Sequence, residues 1–284
     1  VSAVMQLVLV SSVCFWLAKP LMAAAAFMVS RLIVLMITWR SQLRYFSQLS
    51  ISTWHDGWQK IKRTHAFASD FALQSLFGQI DSLVLNHFLG PASVGVYQAG
   101  MRIFNGGAQA ASVLANVFLP RAAQARAEQA QFAKESTTIQ QVFIACGFGF
   151  ACFLTLASKP LTHYLFGSEF AALAGLLPWF GALFLVRFIA SSWGIILTSV
   201  GEQLYRAKLN ACQWALVLIV GSVLVPLFKE PGWLISVILG NVFLIVTYYM
   251  KAVAKIGARM SQFWQPIAAL LLFAPILAYE LAYI

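Results

Sequence analysis

Nine apolar stretches divide this chain, at roughly 1–18, 21–38, 66–89, 96–119, 138–157, 173–199, 209–228, 232–250 and 264–283. Each is close to the ~20 residues that a helix needs to cross ~30 Å of hydrocarbon. A soluble core explains the pattern poorly, because 61% of the residues are hydrophobic and only 10% are charged. The pattern predicts an all-α fold, a polytopic transmembrane helix bundle of about nine spans.

Positive charge alternates between the gaps. The gaps 39–65, 120–137, 200–208 and 251–263 hold thirteen Lys and Arg, among them Arg40, Arg121, Arg206 and Lys251. The intervening gaps hold Lys19, Lys159 and Lys229. By the positive-inside rule the first set is cytoplasmic. The net charge of +10 then reports topology and attraction to anionic lipid, not nucleic acid.

The chain opens at Val1, and 1–18 lacks both a basic leader and a small-residue cleavage site, so a fragment is expected in preference to a signal peptide. An odd number of spans leaves Ile284 outside, which points to a truncated C-terminus as well. Cys14, Cys146, Cys152 and Cys212 fall in apolar spans without CxxC spacing and read as small buried hydrophobes. His55, His65, His87 and His163 form no metal-type cluster by spacing, and no metal or cofactor is expected. With neither a phosphate-binding loop nor a nucleophile elbow, the expected function is not enzymatic. The prolines fall mostly at span ends and read as boundaries, with Pro178 and Pro275 as the candidate kinks.

Ionisable residues inside the spans cost about 2.5–3.5 kcal/mol each on insertion scales, so they usually face a bundle interior or a wet cavity. They are Arg31, Asp81, Arg102 and Arg187, with Asp70 near a span end. At 100° per residue, Asp70, Gln74 and Asp81 form one polar line. Arg102, Asn105, Gln109, Ser112 and Asn116 form a second, and Arg187, Ser191, Gly194 and Thr198 share a third face. Such stripes can simply glue helices together. A lone Arg adds little to packing, however, and the excess of Arg31, Arg102 and Arg187 over Asp81 suits a cavity for an anionic substrate, with guanidinium geometry matched to phosphate. Asp81 and Arg102 lie about 12 and 9 Å below the Gly90-Pro91 hairpin. That depth fits a structural ion pair, and it equally fits a coupling site in which Asp81 or Asp70 carries H⁺ or Na⁺.

The run from Asp81 to Ile103 (DSLVLNHFLGPASVGVYQAGMRI), closed by Leu119-Pro120, resembles the start of the second half of the polysaccharide-type flippases, in the multidrug/oligosaccharidyl-lipid/polysaccharide exporter superfamily. Lys159 to Phe170 (KPLTHYLFGSEF) is similar to that family's outer loop after its ninth helix, and Gly201-Glu202 to its inner turn. The resemblance implies the C-terminal lobe plus two helices of the N-terminal lobe of a two-lobe exporter, with four helices missing. On that reading 1–38 closes a truncated first lobe and 39–65 is a cytoplasmic amphipathic linker. Residues 66–250 are the six-helix lobe, and 251–284 add a basic turn and an extra helix.

It further implies a flippase of the bacterial cytoplasmic (inner) membrane that moves polyprenyl-pyrophosphate-linked oligosaccharide by ion-coupled alternating access. The product would be a surface glycan such as O-antigen or capsule, and a polysaccharide polymerase of the same pathway would be a partner. Asp81, Arg102, Asn105, Gln109 and Asn116 would line its cavity, with Arg31 and Arg187 added on physical grounds. The linker's Trp39, Tyr45, Trp54 and Trp58 read as an interfacial helix, or as a site for the lipid pyrophosphate. A multidrug cation antiporter and a non-transporting membrane scaffold are the alternatives; the first would want an acidic cavity, and the second needs no continuous polar stripe.

Overall fold

The computed structural model describes residues 20–46, 79–256 and 260–283. Among these the regular structure is entirely helical. The first apolar stretch, Asp70, and the linker from 47 to 65 lie outside the described residues. The chain divides into two compact units, Val1–Leu73 and Gln74–Ile284.

In the first unit, α1 (Pro20–Phe46) is a continuous helix. Pro20 suits a helix start, where its missing N–H loses no bond. The helix runs past the expected end at 38, because no Pro or Gly follows to stop it before Phe46.

The second unit contains α2 (79–89), α3 (Pro91–Ala125), α4 (Gln129–Leu156), α5 (Ser158–Phe166), a 3-10 turn (Ser168–Phe170), α6 (Ala172–Ser199), α7 (Gln203–Ile256) and α8 (Met260–Tyr283). Among the described residues, α4, α6, α7 and α8 are long and apolar enough to cross a membrane. Helix α3 has 35 residues but is not one of these, since Arg102, Asn105, Gln109 and Asn116 dilute its apolar character.

Helix α7 is a hairpin. At Lys229 the backbone adopts φ 56° and ψ −137°, a conformation that costs a non-glycine residue strain. Contacts on either side give the sense of the two arms. Gly221 abuts the Trp233 ring, Gly232 abuts the Leu224 backbone, Gly240 abuts Val217, and the Tyr248 hydroxyl donates to Asn210 Oδ1 at 2.9 Å. Partners recede from Lys229 in step, so the arms are antiparallel, in the places expected for spans 209–228 and 232–250.

Helix α6 is the hub. It is apolar around most of its girth, with one polar strip at Arg187, Ser191 and Thr198, and such a helix belongs in the interior of a bundle. It contacts α3, α4, α5, α7 and α8. Phe180, Phe184 and Phe188 recur every fourth residue and form a buried ladder, with Phe184 and Phe188 stacked at 4.4 Å between centroids. The ladder lies over Gly100 and Gly107 of α3 and Gly147 of α4, where any side chain would meet a ring. Small residues set against large ones are how helices gain contact in lipid, which offers no hydrophobic drive of its own.

Several boundaries differ from the sequence reading. The gaps expected at 120–137 and 200–208 shrink to 126–128 and 200–202. Pro120 and Pro226 lie inside helices and do not end them; membrane helices tolerate proline where neighbours re-satisfy the freed backbone. Cys146 and Cys212 are exposed, where buried positions were expected, because an apolar span faces lipid as readily as protein.

The turn from α6 into α7 is closed by Gly201 at φ 86°, with the Glu202 amide donating to Leu197 O and the Gly201 amide to Thr198 O. These are the paired bonds of a Schellman ending. Gln262 at the start of α8 donates to Thr137 Oγ1 at the start of α4, and Lys159 donates to Tyr283 O at the opposite pole. The unit therefore has one basic end, carrying Arg121, Arg126, Lys134, Lys208, Lys251 and Lys255, and one end carrying Gly90, Lys159 and Lys229.

Candidate functional site

The polar stripe expected on α3 exists as a surface. Arg102, Asn105, Gln109, Ser112 and Asn116 are all exposed, while Tyr97, Phe104 and Phe118 of the same helix are buried. The separation follows from the 3.6-residue period that the sequence displays.

The stripe on α6 meets it at the basic end. Ser191, Ile195 and Thr198 of α6, Ala111, Ser112, Ala115 and Leu119 of α3, and Arg206 of α7 line an open cleft of about 260 Å³. Arg206 is the residue that sequence reasoning missed. In the gap 200–208 it counted as one more cytoplasmic charge, yet α7 begins at Gln203 and its first turn carries the side chain back into the bundle.

Arg206 Nη1 donates to Thr198 Oγ1, which itself donates to Gly194 O at 2.8 Å. Gly194 supplies the space: a Cβ there would lie 3.0 Å from Arg206 Nη2. The guanidinium carbon is 5.9 Å from the centre of the Tyr248 ring. Arg206, Asn210 and Gln213 recur at helical spacing along α7, a polar face that could have marked the inward turn.

Arg187 is exposed on α6, and its Nη1 donates to Asn241 Oδ1 at 3.4 Å. Asn241 is held in turn by its own bond to Val237 O at 2.8 Å. Arg187, Arg206 and Tyr248 interact electrostatically, so α6 and both arms of α7 converge on one cationic region. Neither Asn241 nor Tyr248 was singled out from the sequence.

Asp81 lies nearer the other end and is buried, 5% exposed. Its Oδ1 accepts from the Ser82 amide at 2.7 Å, and Ser82 Oγ accepts in turn from Gln98 Nε2. The Tyr97 phenol faces the Asp81 carboxyl, and the indole N–H of Trp233 is buried without a hydrogen-bond partner among the described residues. Arg102 points elsewhere, and no ion pair joins it to Asp81. The reason is rotational, since Arg102 belongs to the exposed face of α3 and Tyr97 to the buried one.

Among the described residues the ion pairs are those of Glu202, whose carboxylate meets Lys251 at 3.5 Å and Lys255 at 3.4 Å. Partial desolvation pushes the Glu202 carboxyl up, but the combined pull of Lys255 and Lys251 outweighs it and holds the group below the ordinary carboxylate range. Arg31 lies exposed on α1 in the first unit.

A family model described as polysaccharide biosynthesis protein matches residues 1–175, more than half of the chain. The chain belongs to that family. No curated protein and no solved structure matches it. With helices long and apolar enough to cross a bilayer, this family member is a membrane protein of polysaccharide synthesis. The matched segment holds Asp81 and the whole α3 stripe, and it stops in the first turn of α6, before Arg187 and Arg206.

Proposed function

We propose that this polysaccharide biosynthesis protein is a flippase. It moves a polyprenyl-pyrophosphate-linked oligosaccharide across the bacterial cytoplasmic membrane by alternating access, and the second unit is the C-terminal lobe of a two-lobe bundle. On this reading the nine apolar stretches are nine spans, the basic end is cytoplasmic, and the exposed α3 stripe lines the path of the substrate.

One observation carries the reading. Arg102, Arg187 and Arg206 belong to helices of a membrane bundle, and none is paired with a carboxylate among the described residues. Charge in that setting is expensive unless a partner or water meets it. An anionic substrate in a wet cavity supplies both, and guanidinium suits phosphate. A drug-cation antiporter would need the opposite sign. Asp81 is the candidate for coupling to H⁺ or Na⁺, because it has hydrogen-bond donors around it but no cationic side chain to neutralise it.

The test is complementation by the complete protein in a strain without its own flippase. Arg102→Ala and Arg187→Ala, at equal membrane expression, are each expected to cut surface polysaccharide by about tenfold or more, as for loss of a charge-assisted contact worth ~1.5–3 kcal/mol. Wild-type amounts with both variants would return these arginines to helix packing.

A further inference from the structure

We propose that the cleft between α3, α6 and the first turn of α7 is a phosphate-holding site, with Arg206 as its principal donor and Ser112 as its second. At about 260 Å³ the cleft has room for a phosphate or pyrophosphate group. Its walls are apolar at Ala111, Ala115, Leu119 and Ile195, which excludes water from one side and strengthens a charge-assisted bond on the other.

The donor inventory favours an anion. A guanidinium offers five N–H groups. In Arg206 one of them is spent on Thr198 and the fork also meets Tyr248, while Nε is buried without a hydrogen-bond partner. Thr198 is a positioning residue: it accepts from Arg206 while its own proton goes to Gly194 O, so it turns the fork toward the cleft and adds no competing negative charge. Ser191 is likewise committed, to Arg187 O at 2.8 Å, which leaves the Ser112 hydroxyl on the opposite wall as the free-turning donor. Among the described residues no carboxylate lines the cleft, and the like charges of Arg187 and Arg206 repel until an anion enters.

For its ligand in the cell the inference rests on the flippase reading, in which this basic-end cleft receives the lipid-linked pyrophosphate. The site itself is tested without transport. With Cys14, Cys146, Cys152 and Cys212 replaced, Ala115→Cys places one thiol in the cleft wall. The complete protein is purified into phosphatidylcholine nanodiscs, and labelling by a water-soluble thiol reagent is timed with and without millimolar inorganic pyrophosphate at constant ionic strength.

Pyrophosphate is expected to slow labelling several-fold. Arg206→Gln should abolish that protection, Arg206→Lys should keep part of it, and Ser112→Ala should weaken it. Labelling without pyrophosphate should proceed to completion in all three variants, which reports a cleft still open to the reagent, and protection is read as the ratio of rates within each variant. A parallel arm with phosphatidylglycerol in the disc separates sources: protection by that lipid alone, lost in Arg206→Gln, assigns the phosphate to a head group. Labelling that neither anion slows, or that both slow equally well in Arg206→Gln, overturns the proposal and makes Arg206 a structural clamp on Thr198. Protection in discs with no rescue of surface polysaccharide would sink the flippase reading and leave the site. Rescue of surface polysaccharide by a protein with Arg206 intact whose labelling pyrophosphate does not slow would do the reverse.

Discussion

The two ends of the second unit handle buried polarity in opposite ways. Near the end that carries Gly90 and Lys229, Asp81, Ser82 and Gln98 bond to one another beside the buried Tyr97 and Trp233 rings, although the Trp233 N–H itself is left over. At the basic end, Arg206 enters a cleft that stays open and has donors left over. Both rest on the same hub helix, so the bundle does not dictate the difference. What separates them is whether the polar groups find complements within the chain. A closed knot stabilises one arrangement, whereas an open cationic cleft is complete only with something else in it.

The contrast predicts the largest stability loss at the closed end. Trp233 is fully buried against Gly221, and Trp233→Ala should destabilise the protein by about 3–5 kcal/mol, seen as a drop in detergent melting temperature. A change of under about 1 kcal/mol would show that the knot is loose. Asp81→Asn keeps shape and hydrogen bonding but removes the charge. It should leave melting nearly unchanged and lower surface polysaccharide about tenfold, and if melting and export both survive, coupling does not pass through Asp81.

At the open end the expected effects are smaller. A methyl group on Gly194 would meet only the tip of the Arg206 side chain, at 3.0 Å, which can swing aside. Gly194→Ala should therefore spare the melting temperature and weaken pyrophosphate protection a few-fold; a large melting loss would mean that the guanidinium is a structural prop. The smallest effect belongs to Glu202. Its carboxyl is held below the ordinary value of 4.5, so its contribution to stability is present above that pH and fades as pH falls through the lower folded value. Glu202→Gln should flatten the acid limb of the melting profile slightly, and about 1 M salt, with a Debye length of about 3 Å, should erase the difference.

The hydropathy that drew a span at 173–199 also drew α6 at Ala172–Ser199, since a long apolar run, interrupted by charge at Arg187 alone and bounded by a turn, leaves little choice. The α3 stripe was equally legible, because helical phase is written in the order of residues. Two other features were not. Asp81 and Arg102 sit at similar depth, so sequence allows them to pair, but depth says nothing about rotation about the helix axis, and rotation sets them apart. Arg206 reads as a loop charge until the turn at Gly201 and Glu202 is seen to be three residues long. Where a basic side chain lies within a turn of a helix start, charge counting cannot say whether it snorkels out or folds in.

The apolar girth of α6 also bears on how the protein is made. Synthesis runs from the N-terminus, so α3 and α4 are made before α6, while α7 and α8 follow it. The Phe180, Phe184 and Phe188 ladder can settle at once onto glycines that are already in place. The flank that later meets α7 must wait against acyl chains. Most of that flank is as greasy as the lipid, so waiting costs little except at Arg187 and Thr198, whose partners Asn241 and Arg206 arrive with α7.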